Sequence, residues 1–210
     1  MLRKILCLHG RPVLAIRRCM HPRWSSSTAS SDLSNVLMRE IEEEEDNLAE
    51  MDEYYEEDLS VLKRQFSKVE INYYDPIIIL EKNSSNGKTL KVRCNIEDEH
   101  EETHYLDVSI SDSQNQTLGL RVEICENEIN VENFSINDSD KIFDPNEKDN
   151  LYNGPLFSEL EDDLQDGIML YLEEHGIDSN FAEVMQNVIR VKEQEEYIHF
   201  LDKLKGFVKN

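Results

Sequence analysis

The sequence is poor in cysteine and lacks the signatures of several enzyme classes. Of its four cysteines, Cys7 and Cys19 lie close to the amino terminus, whereas Cys94 and Cys125 stand far apart in strand-like segments. This spacing excludes a disulfide framework and a four-thiolate metal site. There is also no Gly-rich phosphate loop and no G-x-S-x-G motif, so neither nucleotide hydrolysis nor acyl transfer from a serine elbow is expected. No cofactor is predicted.

Positive charge and long apolar runs are scarce as well. The 210 residues include 45 Asp and Glu against 22 Lys and Arg, a formal net charge of -23. No stretch approaches the length of about 18 apolar residues that a membrane-spanning helix needs. Six cations lie in residues 1–31, which contain no acid, so residues 32–210 hold 16 bases and 45 acids, a net of -29. Such a body repels a phosphate backbone, which argues against direct high-affinity nucleic-acid binding and favours basic protein partners.

Residues 1–31 have the composition of a mitochondrial transit peptide. They are basic, free of acid, rich in serine towards their end, and alternate apolar with cationic side chains. A secretory signal would need an unbroken apolar centre, which residues 9–12 interrupt. We therefore expect mitochondrial import, cleavage near residues 23–30, and a single folded domain over residues 32–210. The alternative is a basic tail that stays attached.

The period of the apolar residues predicts one long amphipathic helix over residues 33–66. They recur at spacings of three, four or their sum, with no Gly or Pro among them, which gives a narrow, coiled-coil-like stripe. The stripe comprises Leu37, Ile41, Leu48, Met51, Tyr55, Leu62 and Phe66. It packs either within its own subunit or against another copy, and association is favoured because one small subunit supplies little apolar cover for so long a helix.

The rest of this helix is strongly acidic. Twelve acids and no base lie between Glu40 and Asp58, and like charges along one helix repel each other. A solvated helix face is the simplest explanation, and a surface kept for partners is the alternative. The candidate partner-binding residues are Glu42, Glu43, Glu44, Glu45, Asp46, Glu50, Asp52, Glu53, Glu56 and Glu57.

Beyond residue 68 the apolar period changes to two, which predicts half-buried strands. The segments are residues 69–73, 77–80, 90–96, 106–110, 118–124 and 128–136. Asn86-Gly87 predicts a hairpin turn. Because no helical pattern separates these segments, we expect an antiparallel meander of six or seven strands.

A polar loop over residues 137–150 precedes two predicted helices. The first should open at Gly154-Pro155 and end at Gly176. The second should be capped by Asp178 or Ser179 and continue to the end of the sequence. Its candidate residues for helix packing or oligomer formation are Tyr197, Leu201, Leu204 and Val208. The order of helix, sheet and two helices predicts an α+β chain.

The carboxyl-terminal part of the sequence resembles a known family. The resemblance is carried by residues 152–166, 171–178 and 195–208, and its most specific part is the ending Tyr197-Ile-x-Phe-Leu-x-x-Leu-Lys-x-Phe-Val208. The strand segments 88–96 and 120–124 support it. Over residues 35–210 the chain is similar to the mitochondrial acidic matrix protein family, also called the complement component 1 Q subcomponent-binding protein or mitochondrial glycoprotein family. The short acidic insert at residues 97–102 departs from some relatives, which carry a longer loop there.

The resemblance implies a strongly twisted antiparallel sheet of about seven strands, flanked by one amino-terminal and two carboxyl-terminal helices. It also implies a doughnut-shaped homotrimer of the mitochondrial matrix without enzymatic activity. The first hypothesis is therefore an acidic scaffold or chaperone for basic proteins, such as ribosomal or RNA-binding proteins, that supports mitochondrial translation, ribosome biogenesis or RNA processing. The alternative is a regulatory factor that reaches RNA through RNA-binding proteins. A calcium buffer is a weaker hypothesis, because the acids lack the spaced loop of an EF-hand.

One motif points to a different function. His100-Glu101-Glu102-Thr103-His104 matches the zincin pattern H-E-x-x-H, in which a helix places both histidines on one zinc ion. Here the motif lies in a polar segment between two alternating strands, and extended backbone would separate the histidines by roughly 13 Å. A metal-dependent hydrolase is thus a remote alternative, and a solvated loop is expected. No catalytic, cofactor-binding or metal-ligating residue is predicted.

Overall fold

The structure is a computed structural model that describes residues 26–84, 86–100, 103–114, 116–137, 152 and 154–209. Residues 1–25 of the predicted transit peptide and residues 138–150 of the predicted polar loop lie outside the described residues. The first helix already begins at Ser26, so residues 26–31 of the predicted transit peptide are helical.

The elements follow the predicted order of helix, sheet and two helices. They are α1 (Ser26–Gln65), β1 (Lys68–Ile71), β2 (Ile77–Asn83), β3 (Thr89–His100), β4 (Thr103–Ser111), β5 (Thr117–Cys125), β6 (Glu128–Asn137), a 3-10 turn (Phe157–Glu159), α2 (Asp162–His175) and α3 (Ser179–Lys209). The α+β class is therefore confirmed.

The six strands form one antiparallel sheet in sequence order, as expected of a meander. The described residues thus contain the six strands that the alternation predicts, against about seven implied by the family resemblance. Leu80 of β2 pairs with Val92, Val92 with Val108 of β4, and Val108 with Leu120 of β5. All four side chains are buried, because directly paired residues of neighbouring strands lie on the same face of a sheet. This row forms the centre of the core.

The acidic insert is mostly strand. Residues 97–100 belong to β3, whose pairing with β4 is irregular between Cys94 and Glu99 and resumes at Glu99 and His100. The prediction of a solvated loop is therefore wrong for these four residues, whereas residues 101–102 lie outside the described ones. Pairing of Glu99 and His100 with His104 and Thr103 of β4 favours the extended backbone here, despite the low strand propensity of Glu.

The start of α2 also differs from the prediction. Leu156 forms an isolated bridge with Asn133 of β6, and the chain then makes a 3-10 turn before α2 begins at Asp162. Gly154 has a φ of 76°, and a Cβ there would lie 1.8 Å from the carbonyl oxygen of Phe134. Gly154 and Pro155 therefore do not start the helix, and Gly154 is needed where the chain passes close to the backbone of β6. The first turn of α2 is instead favoured by Asp162 and Asp163, which lie near the positive end of the helix dipole.

The remaining helix ends agree with the sequence. Gly176 ends α2 with a φ of 88°, a conformation that only glycine adopts without strain. Asp178 caps α3, since its Oδ1 accepts the backbone N–H of Phe181 at 2.8 Å. None of the described helices is both long and apolar enough to cross a membrane.

Two apolar clusters stabilise the helical layer. In the main cluster, Leu62 and Phe66 at the end of α1 join Leu172 of α2 and Phe181 of α3 against the buried face of the sheet. A second cluster contains residues of α1 and α3 alone, with Leu37, Ile41 and Leu201 at its centre and Leu204 and Val208 at its edge. The amino half of α1 is therefore held by α3.

Candidate partner-binding surface

The helices α1 and α3 run antiparallel, and four side-chain hydrogen bonds fix their register. These bonds join Ser30 Oγ to the carbonyl of Val208 (2.9 Å), Tyr197 OH to Glu40 (3.4 Å), Gln194 Nε2 to Glu44 Oε2 (2.6 Å) and Asn187 Nδ2 to Asp58 Oδ2 (3.0 Å). Three acids of α1 thus turn inward and accept hydrogen bonds from neutral groups of α3.

A heptad pattern that the sequence analysis missed explains this seam. On α3, Asn187, Gln194, Leu201 and Val208 follow each other at intervals of seven residues, and on α1 Ser30, Leu37, Glu44, Met51 and Asp58 do the same. Seven residues are about two helical turns, so each set shares one side of its helix. The signal was hidden because polar and apolar residues alternate in the α1 set, and because the first two members of the α3 set are polar.

The predicted packing residues lie within this chain's own helix pair or core. Leu37, Ile41 and Leu201 are buried in the second cluster, and Leu62 is fully buried in the main core. Tyr197 is 40% exposed. The remaining predicted packing residues are half-buried, namely Leu48, Met51, Tyr55, Leu204 and Val208. The stripe that suggested association is thus largely covered by α3, and a role for these residues between copies stays a prediction.

Seven of the candidate acids point into solvent. They are Glu42, Glu43, Glu45, Asp46, Glu50, Glu56 and Glu57, and together they are called the outer acids below. None of them forms an ion pair with another residue that the structure describes. Glu44 belongs instead to the seam, whereas the side chains of Asp52 and Glu53 lie outside the described residues.

The cations of the sheet are already engaged by local acids. Arg121 contacts Asp98, Asp107 and Glu132 on the polar face of the sheet, at 2.5, 3.1 and 3.8 Å, and it lies over the ring of Tyr105. The other ion pairs among the described residues of the sheet are Arg93 with Asp107, Lys68 with Glu70 and Glu81, and Lys91 with Glu81. These ion pairs neutralise part of the charge of the sheet, whereas the outer acids of α1 have no ion pair with a described residue.

Two groups at the seam, Asp58 and Tyr197, have pKa values above their ordinary ones. Burial raises the pKa of Asp58, the hydrogen bond from Asn187 opposes that rise, and the charges of Glu183 and Glu57 add to it. Burial likewise raises the pKa of the Tyr197 phenol, and the carboxylates of Glu40 and Glu44 raise it further. Both directions follow from disfavouring one more negative charge between these helices.

A cavity of about 760 Å³ opens between the two helices beside the seam. Its acids are Glu44 and Glu50 from α1 and Glu193 from α3, and Arg190 is the cation of its lining. Met51 and Tyr197 add apolar and aromatic surface. The cavity thus combines carboxylates with a ring, a combination suited to a guest with cationic and apolar parts.

The H-E-x-x-H segment does not form the helix that zinc binding by this motif requires. His100 ends β3 and Thr103 begins β4, so the segment is a strand pair, and His104 is buried opposite Glu99. Within the described ranges no group of three or more His, Cys, Asp or Glu side chains could hold a metal ion. Burial also raises the pKa of the Cys94 thiol to about 12, with smaller contributions from Asp107 and Asp98, so this thiol is a poor nucleophile.

Comparison with protein families and with curated proteins gives consistent matches. The model of the MAM33 family, described as mitochondrial glycoprotein, matches residues 28–208. The mitochondrial acidic protein mam33 of Schizosaccharomyces pombe is 40% identical over 58 residues, which are 28% of this chain and 22% of that protein. The mitochondrial complement component 1 Q subcomponent-binding protein of Bos taurus is 43% identical over 47 residues, 22% of this chain and 17% of that protein. The matched segments thus span less than a quarter of either relative.

Solved structures share the fold. A Leishmania major protein of unknown function, described as a sequence homologue of human p32, superposes with a TM-score of 0.68 at 23% identity, covering 86% of this chain and 99% of that one. The p22 protein of Trypanosoma brucei gives a TM-score of 0.67 at 20% identity over the same shares. At these identities the likeness concerns the fold alone.

Proposed function

The chain belongs to the MAM33 mitochondrial glycoprotein family, and on this premise we propose that it is a non-enzymatic acidic scaffold or chaperone of the mitochondrial matrix that binds basic proteins. The observation that carries the proposal is the set of seven outer acids on α1, exposed and without an ion pair among the described residues. The two curated relatives are named as an acidic protein and as a binding protein of mitochondria, which supports binding rather than catalysis.

The physical role of the outer acids is to attract and neutralise Lys and Arg surfaces. Uncompensated charges raise the rate at which an oppositely charged partner is captured and suppress wrong partners of like charge. Holding such charges on one helix costs free energy through repulsion. A cationic partner would offset that cost, so partner binding also stabilises the acidic helix.

Three further parts of the proposal come from the sequence. Residues 1–31 act as a cleavable transit peptide, the mature domain assembles as a homotrimer, and its clients include ribosomal or RNA-binding proteins in mitochondrial translation, ribosome biogenesis or RNA processing. Sedimentation of residues 32–210 tests the assembly, and a monomer would contradict it. The RNA-associated alternative is tested by nuclease treatment of co-purified complexes, since clients held by the outer acids remain bound after RNA is destroyed.

Two charge variants of equal size test the main proposal. The first replaces five outer acids (Glu42→Gln, Glu43→Gln, Glu45→Gln, Asp46→Asn and Glu50→Gln), and the matched control replaces five exposed acids around α2 (Glu159→Gln, Glu161→Gln, Asp166→Asn, Glu173→Gln and Glu174→Gln). The probe is a fluorescent Arg/Lys peptide without apolar residues, followed by anisotropy. At about 0.3–0.5 kcal/mol for each exposed ion pair, the first variant should bind roughly 10- to 100-fold more weakly.

The control distinguishes binding by a specific surface from a response of the peptide to the total net charge of the protein. It has the same net charge as the first variant, and its affinity should stay within about threefold of the wild type. Equal losses in both variants would show that the peptide responds to total charge, and the proposed role of α1 would then be wrong.

A further inference from the structure

Four large apolar side chains are exposed where the amino end of α1 meets the carboxyl end of α3. Their exposed fractions are 43% for Leu33, 46% for Val36, 57% for Phe200 and 81% for Phe207. The hydrogen bonds from Ser30 to Val208 and from Tyr197 to Glu40 place both helix ends at the same level of the pair. These four residues are called the apolar end below. Exposed apolar groups gathered in one place are typical of an interaction site.

The apolar end lies on the same side of the helix pair as the acidic cavity. Leu33 precedes Glu44 by 11 residues, about three helical turns, and Phe200 follows Glu193 by seven residues, about two turns. Glu44 and Glu193 both line the cavity. The cavity and the apolar end therefore form one surface, called the α1–α3 groove, which extends for about 21 Å along α3 from Glu193 to Phe207.

The chemistry of the groove selects its occupant. Three carboxylates against one guanidinium line the cavity, so a guest should carry positive charge. A guest with charge alone would leave the apolar end uncovered, whereas an apolar guest would cover a negatively charged cavity without adding a counter-charge. A second copy would bring a body with a net charge of -29 over residues 32–210, and like-charge repulsion disfavours its contact with an acidic groove. A helix with one apolar and one basic face satisfies both parts of the groove.

We infer that the α1–α3 groove binds a basic amphipathic helix of a client protein. Its apolar face covers Leu33, Val36, Phe200 and Phe207, and its Lys or Arg side chains contact Glu44, Glu50 and Glu193. The inference rests on the proposed function and deepens it, because it names amphipathic helices rather than basic chains in general as the preferred partner. About 14 residues of guest helix match the length of the groove.

The test compares two peptides of identical composition on the full-length protein. One peptide of about 18 residues, built from Leu, Lys and Ala, carries its leucines at helical spacing, and the other is its scrambled isomer. The groove variant is Phe200→Ser with Phe207→Ser, and the matched control is Leu164→Ser with Leu170→Ser on α2, which removes side chains of 49% and 60% exposure. Anisotropy gives the affinities, and circular dichroism and sedimentation check fold and assembly.

We expect the wild type and the α2 control to bind the amphipathic peptide about tenfold more tightly than its scrambled isomer, because covering two phenylalanines adds that much affinity. The groove variant should lose this preference and keep its affinity for the scrambled isomer. Val36→Ser, on the other helix, should cause a smaller loss in the same direction. Each of these results supports the inference.

Other outcomes overturn it in distinguishable ways. If the wild type binds both peptides equally, or the groove variant keeps the preference, the inference is wrong while the proposed function stands. If the wild type binds neither peptide, the proposed function fails as well. If the groove variant sediments as a smaller species, the apolar end is a contact between copies of this chain, and the assignment of a client helix is wrong.

Discussion

Lys192 of α3 has no exposed side-chain surface, and its ammonium group forms an ion pair with Glu196 one turn later. The same carboxylate accepts the backbone N–H of Tyr74 at 2.8 Å, and the ammonium lies 5.9 Å from the ring centre of Tyr73. Glu196 thus joins a buried cation to the turn between β1 and β2. We predict that this ion pair controls how firmly that turn is held on α3.

We predict that the effects of substituting Lys192 and Glu196 on the free energy of unfolding are not additive in a double-mutant cycle. Glu196→Gln leaves a buried ammonium without its counter-charge and should lower the free energy of unfolding by about 3 kcal/mol, at the lower end of the range for breaking a buried ion pair, because Gln keeps a hydrogen-bond acceptor. Lys192→Met should cost about 1 kcal/mol, since Glu196 retains 22% exposure and its charge can be hydrated. The double variant removes both charges and should be within about 1 kcal/mol of the wild type.

Urea unfolding at one fixed protein concentration measures the cycle, because association would make the apparent stability concentration-dependent. The two single variants and the double variant should then show a coupling of about 3 kcal/mol or more. Simple additivity, or a loss below about 0.5 kcal/mol for Glu196→Gln, would refute the reasoning that the charge of Lys192 is desolvated.

Three further predictions concern single sites. Gly154→Ala should lower the unfolding free energy by about 2–4 kcal/mol because its Cβ would meet the backbone of β6, whereas Gly167→Ala in α2, with open space around it, should raise it by about 0.5–1 kcal/mol in the same urea assay. Asp58→Asn should stabilise the protein at pH 7 by less than about 1 kcal/mol, because the raised pKa of Asp58 means that folding favours its protonated form. This contribution to stability is complete below the unfolded pKa of about 4 and is lost as the pH rises through the folded pKa. The advantage of Asn should therefore disappear in acid, which unfolding curves at several pH values will show. Iodoacetamide at pH 8 should alkylate the partly exposed Cys125 but spare the buried Cys94 until the protein unfolds, as peptide mass mapping will reveal; equal labelling of both in the folded protein would contradict the assigned burial.

The sequence predicted the elements well because their signals are local. Alternation along residues 90–96 or 118–124 depends only on the two faces of one strand, and all six predicted strand segments appear in the sheet. The long helix α1 was equally clear from its apolar period. Its partner was not, because the seam with α3 contains Gln194 and Asn187 in place of apolar residues, and a search for apolar stripes overlooks them.

Features created by distant contacts were missed. Leu156 belongs to a bridge with β6 rather than to α2, although Gly154-Pro155 is a reasonable start for a helix when read alone. The burial of Lys192 depends on a turn more than a hundred residues earlier. The outer acids were found as a run of like charges, but their separation from the inward acids Glu44 and Asp58 required the position of α3.

The most direct test of the account is the salt dependence of binding to a basic peptide. The dissociation constant of the wild type should be measured by anisotropy from about 50 mM to about 500 mM potassium chloride, a range over which the screening length falls from roughly 14 Å to roughly 4 Å. If the outer acids of α1 hold cationic partners, the dissociation constant should rise at least about tenfold over this range. A dissociation constant that stays flat would contradict the central claim that exposed, uncompensated charge on α1 binds the partners of this protein.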